Sequence, residues 1–367
     1  LNGKDLTIKN LELESGESQF SANGILTKVL HFGTHDMTPF LKLNINAEQV
    51  NVQEIANWQF GEPNSENSTL PFNFETNLSV THFFWDGFNG TALKGKVTGT
   101  PSAVQGTGLS FNSSEGLIKG DFDVSTAYRS MQASADISNL EISKLFKEFK
   151  NFGQKDLTDK NIRGKLNTRI DLKLSFDQNW VFIPNSMWMK SDLLIENGEL
   201  NDYKPLESLE TFAAKEDLKK VQFSTLQNTI NIENSRIYIP QMHIASNALN
   251  LDIEGIHYFN SNIDYSIRLE LTKVLLGGKK PKSGGYDGFV SIEERPSDVF
   301  IWVKVGCDVE NPCTGLDLTK MKDSMKKGFK SQGQELKDLM TKDTVKTEPT
   351  QSEYIFEWSE EPDTNER

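Results

Sequence analysis

Apolar residues alternate with polar residues along most of the chain, and this pattern constrains the fold more than any other feature. Between residues 228 and 259 the alternating apolar residues are Ile230, Ile232, Ile237, Ile239, Leu249, Leu251 and Ile253. Polar residues such as Asn231, Asn250 and Asp252 stand between them. A period of two puts successive side chains on opposite faces of a β-strand, so each strand has one apolar face and one polar face.

Segments of this kind recur over the first 306 residues, separated by clusters of Gly, Asn and Ser, and we count about sixteen of them. Strands lie about 4.8 Å apart, so sixteen in one sheet would extend roughly 75 Å. Twisted sheets of more than about ten strands usually curl or split. The sequence therefore predicts a mainly β fold: a long curled antiparallel sheet (β-trough or open sandwich) with a few short amphipathic helices.

Alternation alone leaves two arrangements of the apolar face open. In a closed sandwich the whole face is core, and this is the commoner arrangement. In a curled trough part of the face stays accessible. Strand-and-glycine units recur at residues 93–99, 116–120 and 249–255, as in arrays built by adding similar units, and the outward residues form no second apolar face. Both features favour the trough.

The pattern changes along the chain and divides it into four regions. These are a β-rich repeat region (1–135), a second β region (136–313), a basic amphipathic helix (314–342) and a flexible acidic tail (343–367).

Two helices are predicted within the second β region, near residues 138–152 and 205–219. In the first, the apolar residues Ile142, Leu145, Phe146 and Phe149 follow helical spacing. Ser138 and Glu141 precede that stripe in the spacing of a capping box, which predicts a helix start at Ser138.

Charge and motifs exclude several functions. The net charge of −13 argues against nucleic acid, because phosphate binding needs a basic surface. No apolar run reaches the length of a membrane-spanning helix. We find no catalytic, metal-binding or cofactor-binding motif, so we expect a protein that is not an enzyme, with no catalytic residues, metal or cofactor.

The chain starts inside a strand-like pattern, and we expect it to be part of a longer protein.

Cys307 and Cys313 are the two cysteines of the chain. Their spacing around Asn311 and Pro312 fits a disulfide that closes a hairpin loop in an oxidising compartment. Two unpaired thiols at a loop are the alternative, and the spacing does not decide between them.

Several segments of the second β region resemble the C-terminal region of Bacteroidetes-type AsmA family proteins. The recognisable pieces are residues 195–200, 205–212, 239–242 and 246–249, and the likeness covers roughly residues 90–306. The AsmA family is related to TamB and to chorein-like lipid-bridge proteins, whose curled sheets form a hydrophobic groove.

The resemblance implies a periplasmic protein, tethered to the inner membrane through an N-terminal helix absent from this chain. It implies lipid transport in outer-membrane biogenesis, with phospholipid or another envelope lipid and outer-membrane assembly proteins as partners. The alternative function is a closed β-sandwich that binds a protein or glycan partner at the cell envelope.

Candidate lipid-binding residues come from the apolar side of the second β region. They are Ile237, Ile239, Leu249, Leu251, Ile253, Ile263, Tyr265, Ile267 and Leu269. Each buried methylene contributes about 0.8 kcal/mol, so a groove of this kind could hold an acyl chain without specific polar contacts. The alternative is that the same residues are ordinary core.

The basic segment 314–342 provides candidates for contact with a membrane surface. These are Lys322, Lys326, Lys327 and Lys330, which accompany a stripe of Leu, Met and Phe. Such a helix suits anionic lipid head groups. It could instead cap the end of the sheet, with its lysines simply solvated.

Overall fold

The computed structural model describes residues 5–28, 38–56, 72–153, 155, 157–270 and 300–323. The chain divides into two compact units, residues 1–317 and residues 318–367. The sheet and the four short helices named below belong to the first unit, and in the second unit residues 318–323 are helical.

Sixteen strands make up most of the first unit. They are β1 (Leu6–Ser15), β2 (Ser18–Thr27), β3 (Phe40–Asn51), β4 (Asn73–Trp85), β5 (Phe88–Thr100), β6 (Ala103–Ser113), β7 (Gly116–Ser125), β8 (Ser130–Glu141), β9 (Ile162–Ser175), β10 (Trp188–Asn201), β11 (Lys220–Glu233), β12 (Arg236–Ala245), β13 (Asn250–Tyr258), β14 (Asn262–Glu270), β15 (Phe300–Asp308) and β16 (Pro312–Leu316). The helices are α1 (Val52–Ala56), α2 (Ile142–Glu148), α3 (Lys204–Glu207) and α4 (Lys215–Lys219). Short 3-10 helices lie at Lys150–Gly153 and Pro184–Ser186.

All sixteen strands form one sheet, and their order in the sheet is their order in the sequence. β1 and β16 are its two edges and are not paired with each other, so the sheet is open. The described residues contain no second sheet that could close a sandwich. The predicted mainly β fold, with one long open sheet and a few short helices, is confirmed.

One strand pair departs from the antiparallel arrangement. β3 and β4 run parallel, with Phe40 opposite Asn73, whereas the other neighbouring strands are antiparallel. A parallel pair needs a connection that returns the chain to the same end of the sheet. Residues 52–72 provide enough chain for that return, and the alternation pattern gives no sign of strand direction.

Register shifts interrupt seven of the fifteen strand pairs. A shift of this kind usually marks a β-bulge, which bends the strand and strengthens the local right-handed twist. Twist accumulates from strand to strand, so a sheet of this length with many bulges curls rather than staying flat.

The first predicted helix is shorter than expected. α2 begins at Ile142, its N-cap is Glu141, and no side chain caps it. Ser138 lies in β8 opposite Leu117 of β7, so the predicted capping box is wrong. Ser138 pairs with β7, Leu140 and Glu141 pair with β9, and this pairing outweighs the local helix signal.

The second predicted helix is two short helices, α3 and α4, joined by turns. The basic helix also starts later than predicted, because Leu316 pairs with Val303 as the last residue of β16. Residues 318–323 are helical, and the remainder of the predicted segment 314–342 and the tail 343–367 lie outside the described residues.

Two buried clusters of apolar side chains stabilise the sheet. The larger one joins β8 to β15 with α2, α3 and α4. The smaller one lies on β3 and β4 and consists of Ala47, Val50, Val80 and Phe83, with partly buried side chains around it. The two halves of the sheet are therefore unequally packed.

Candidate functional site

Strand pairing places one row of mostly apolar side chains on a single face of the sheet, which we name the apolar face. From β3 to β12 the row is Leu43, Thr76, Val97, Gly106, Phe122, Ala133, Leu172, Met189, Ile232 and Ile237. Side chains on the opposite face at neighbouring positions are mostly polar, such as Asn44 and Asn77, which hydrogen-bond each other at 2.9 Å.

One part of the apolar face is covered by the segment that carries α3 and α4. Leu206, Leu209 and Leu218 of this segment belong to the same buried cluster as Leu251 and Leu269 of the sheet. No solvent reaches Leu209 or Leu269. This part of the face is closed core.

A buried hydrogen-bond chain fixes the covering segment to the sheet. The Tyr203 hydroxyl, just before α3, lies 3.3 Å from the Tyr265 hydroxyl of β14. The Tyr265 hydroxyl also lies 2.9 Å from Nδ1 of His257. Because buried polar groups are costly without partners, this chain favours one position of α3 over the sheet.

The rest of the apolar face stays partly accessible, and we name this part the open strip. It consists of the half-buried residues Leu43, Val97, Phe122, Leu172, Met189, Ile232 and Ile237 from the row above, with Val124, Met131 and Leu174 beside them. Among the described residues, none of these ten belongs to or packs against either buried cluster. The open strip is thus apolar surface that the described core leaves unfilled.

Glycine and phenylalanine face each other at several points of the apolar face. Gly106 lies opposite Phe122, and a methyl group at Gly106 would collide with the ring of Phe122. Gly99 and Phe74 form a second pair of this kind. In each pair the ring takes the space of the missing side chain and lies over the neighbouring strand, which gives the strip an aromatic floor.

The polar face carries a compact charged cluster on β12, β13 and β14. Asp252 accepts a hydrogen bond from Nε of Arg268 at 2.6 Å and lies 2.8 Å from Nδ1 of His243. Burial raises the pKa of Asp252, but the contacts with His243 and Arg268 outweigh it and hold that pKa below its usual value. The cluster ties three strands together and includes no serine, cysteine or lysine that could act as a nucleophile.

Glu199 of β10 is an acid whose pKa is strongly lowered by its hydrogen-bond partners. The hydrogen bond from the Asn201 side chain is the largest cause, and bonds from Gln222 and Lys220 act in the same direction against burial. Together they lower the pKa of Glu199 to about 2. Its role is to join β10 to β11.

The nine candidate lipid-binding residues lie on the predicted face but mostly in its covered part. Leu249, Leu251, Ile263, Tyr265, Ile267 and Leu269 are all buried in the large cluster. Ile239 and Ile253 pack against that cluster, and Ile237 alone lies in the open strip. Alternation identified the face, whereas the rest of the open strip, on β3 to β11, was not singled out.

The remaining candidates lie near the end of the described chain. A disulfide joins Cys307 of β15 to Cys313 of β16, with their Cα atoms 5.6 Å apart. Lys322 is exposed in the helical residues 318–323. Lys326, Lys327 and Lys330 lie outside the described residues.

Within the part of the chain that the structure describes, no group of histidine, cysteine and acidic side chains is arranged to hold a metal ion. None of the helices found there has the length and apolar character needed to cross a bilayer. The chain matches no protein-family model, no curated protein and no solved structure.

Proposed function

We propose that the protein binds lipid by holding acyl chains against the open strip, and that it acts without catalysis. The observation that carries this proposal is the run of half-buried apolar side chains from Leu43 to Ile237, which the described core leaves unfilled. Isolated exposed apolar residues are normal on a protein surface, but a row of apolar side chains of this length, interrupted only by Thr76 and Gly106 in its first half, calls for a ligand.

The dimensions of the strip suit an elongated apolar ligand. It crosses ten strands, from β3 to β12, and nine spacings of about 4.8 Å give roughly 43 Å. Ten methylenes buried along it would contribute about 8 kcal/mol before the cost of association. No specific polar contact is needed, so the strip would accept acyl chains of different head groups.

The mechanism is passive. Acyl chains lie on the open strip, while head groups remain in water beyond it. Because the row contains one polar side chain, Thr76, and no charged one, a chain could slide along it without passing a charge. This supports transfer of lipid between two membranes.

The cellular setting of this proposal rests on the resemblance to the AsmA family. It is lipid transport in outer-membrane biogenesis, in the periplasm, by a protein tethered to the inner membrane. Phospholipid or another envelope lipid is the proposed ligand, and outer-membrane assembly proteins are proposed partners. Lys322, Lys326, Lys327 and Lys330 are proposed to contact anionic head groups.

The test is native mass spectrometry with lipid extraction on the protein purified from cells. The double variant Leu172→Gln with Met189→Gln places two amides side by side in the strip, since these residues are cross-strand neighbours. Glutamine nearly preserves the volume of both side chains. We expect lipid to co-purify with the natural protein and to be lost from this variant, with the circular dichroism spectrum unchanged.

The matched control is Leu117→Gln with Leu194→Gln, two half-buried leucines that lie among polar neighbours on the other face. This control should retain lipid. The proposal fails if the natural protein carries none, or if both double variants retain it equally.

A further inference from the structure

Five exposed aromatic and aliphatic side chains lie at the end of the sheet where β7 stops, β8 starts and β9 stops, and three exposed aromatic side chains, Trp85, Phe149 and Phe152, lie at the opposite end. The first five are Tyr128, Trp180, Val181, Ile183 and Phe259, which we name the aromatic rim. Tyr128 is 84% exposed and Val181 is 60% exposed. All five lie in turns between strands rather than on a strand face.

Backbone and side-chain hydrogen bonds join the turns that carry the rim. The N–H of Phe176 donates to the carbonyl of Arg129 at 2.8 Å, which links the turn of Tyr128 to the loop of Trp180. Ser235 then donates to the side chain of Asn185 at 3.0 Å and accepts from the N–H of Phe259 through its carbonyl at 3.0 Å. The turns that carry the rim are therefore fixed to one another.

The loop between β9 and β10 is folded so that it presents its apolar residues outward. The Asp177 carboxylate accepts the N–H groups of Asn179 and Val181, and the Asp177 N–H donates to the Val181 carbonyl. Trp180 has a φ of 60°, a left-handed conformation that is unusual for tryptophan. The exposure of Trp180 and Val181 is thus fixed by a closed hairpin tip.

Charge distinguishes this end of the sheet from the other. The turns that carry the rim, residues 126–129, 176–187, 234–235 and 259–261, contain two charged residues, Arg129 and Asp177, and the Asp177 carboxylate is occupied by backbone N–H groups. The connections at the opposite end, residues 142–161 and 202–219, contain eight charged residues each. An apolar, nearly uncharged end is suited to a low-dielectric environment, and a charged end is not.

The rim is continuous with the open strip. Phe176 extends the strip past Leu172 and Leu174 on the same face of β9, and its ring centroid lies 5.5 Å from that of Trp180. We propose that the aromatic rim inserts into the interfacial layer of a lipid bilayer and places the end of the open strip against the membrane. The purpose assigned to the rim rests on the proposed function. Binding of the rim to a bilayer can be tested whether or not the open strip holds lipid.

A bilayer fits these observations better than a protein surface. Trp and Tyr prefer the boundary between head groups and acyl chains, because their rings are apolar and carry one polar group. The rim residues protrude from several separate turns, which suits insertion of single side chains into a bilayer. A flat protein partner would instead need a continuous contact face. The few charges near the rim predict binding that does not depend on anionic lipid.

The test is flotation of the purified protein with phosphatidylcholine vesicles at low and high salt. The double variant Trp180→Asn with Val181→Gln removes two rim side chains, and asparagine tolerates the left-handed backbone at that position. We expect roughly a hundredfold weaker binding, since each side chain buries on the order of 50–100 Å² in the interface. Salt should have little effect on the natural protein.

The matched control is Trp85→Gln with Phe152→Asn at the opposite end, where Trp85 is 53% exposed and Phe152 has a φ of 53°. The control should bind vesicles like the natural protein. The inference is overturned if the two double variants bind equally, if the natural protein does not bind, or if high salt abolishes its binding. Absence of vesicle binding with lipid still co-purifying would refute the rim and leave the proposed function standing.

Discussion

Leu209 is the residue whose truncation tests most directly whether the α3–α4 segment is packed on the sheet. Its side chain has no exposed surface and belongs to the large buried cluster. Its N–H donates to the Leu206 carbonyl at 3.0 Å, and its own carbonyl accepts from Phe212 at 2.8 Å. The backbone around Leu209 is therefore held on both sides and cannot easily collapse into a void.

We expect Leu209→Ala to lower the free energy of unfolding by about 3–5 kcal/mol. Truncating a fully buried leucine costs about 2.7–5.0 kcal/mol, and the upper part of that range applies where the site cannot relax. Domains are stable by about 5–15 kcal/mol in total, so the variant should remain folded but be clearly weakened.

Urea unfolding followed by circular dichroism measures this change. The slope of the unfolding free energy against urea concentration should stay constant, because the surface exposed on unfolding is unchanged. Val181→Ala is the control, since Val181 is mostly exposed and its truncation should change stability by about 0.5 kcal/mol or less. A loss below about 1 kcal/mol for Leu209→Ala would show that α3 and α4 do not pack on the sheet, because a buried leucine cannot be removed so cheaply.

Two further predictions concern pH and close packing. The folded pKa of Glu199 is about 2, below its ordinary value of 4.5, so its contribution to stability is present above pH 4.5 and lost as the pH falls towards 2. The difference in unfolding free energy between the natural protein and Glu199→Gln is at most about 3 kcal/mol at pH 7 and should shrink as the pH falls from 4.5 towards 2. Urea unfolding at several pH values measures it, and a difference independent of pH would contradict the lowered pKa of Glu199. Gly90→Ala should lower the melting temperature and cost about 1–3 kcal/mol, because the new methyl group collides with the packed ring of Phe83. Gly315→Ala, with open space around it, should be neutral, and equal effects would refute the packing argument.

The strands and their apolar face could be predicted because alternation is a local signal. Each strand repeats the pattern by itself, and Leu172, Met189 and Ile232 meet across strands because each lies on the apolar side of its own segment. The number of strand-like segments and the mainly β fold followed from the same signal, whereas the preference for an open sheet rested on the repeated strand-and-glycine units and the polar outward residues.

The division of that face into a covered part and an open strip could not be predicted. Ile267 and Leu269 have the same pattern as Leu172 and Leu174, yet the first pair is buried and the second is half-exposed. The difference comes from the distant α3–α4 segment, which packs on one part of the face. Periodicity reports which side of a strand is apolar and carries no information on what lies over it.

Local signals also failed where pairing overrides them. Ser138 and Glu141 match a capping box, but Ser138 pairs with Leu117 of β7 and Glu141 pairs with Lys165 of β9. The parallel alignment of β3 and β4 left no trace in either strand, because direction is set by the connection rather than by the strand itself.

The strand order has a consequence for how the molecule opens. Since every strand pairs only with its neighbours in sequence, the sheet behaves as a nearly one-dimensional array in which the free energy of opening rises inward from each edge. The large cluster ties β8 to β15 into one cooperative unit, whereas β1 to β7 have only the small cluster. We therefore expect amide hydrogen exchange to be fastest in β1 and β2 and to slow step by step towards β8. The strands around β3 can then separate locally while the strands beyond β8 remain folded.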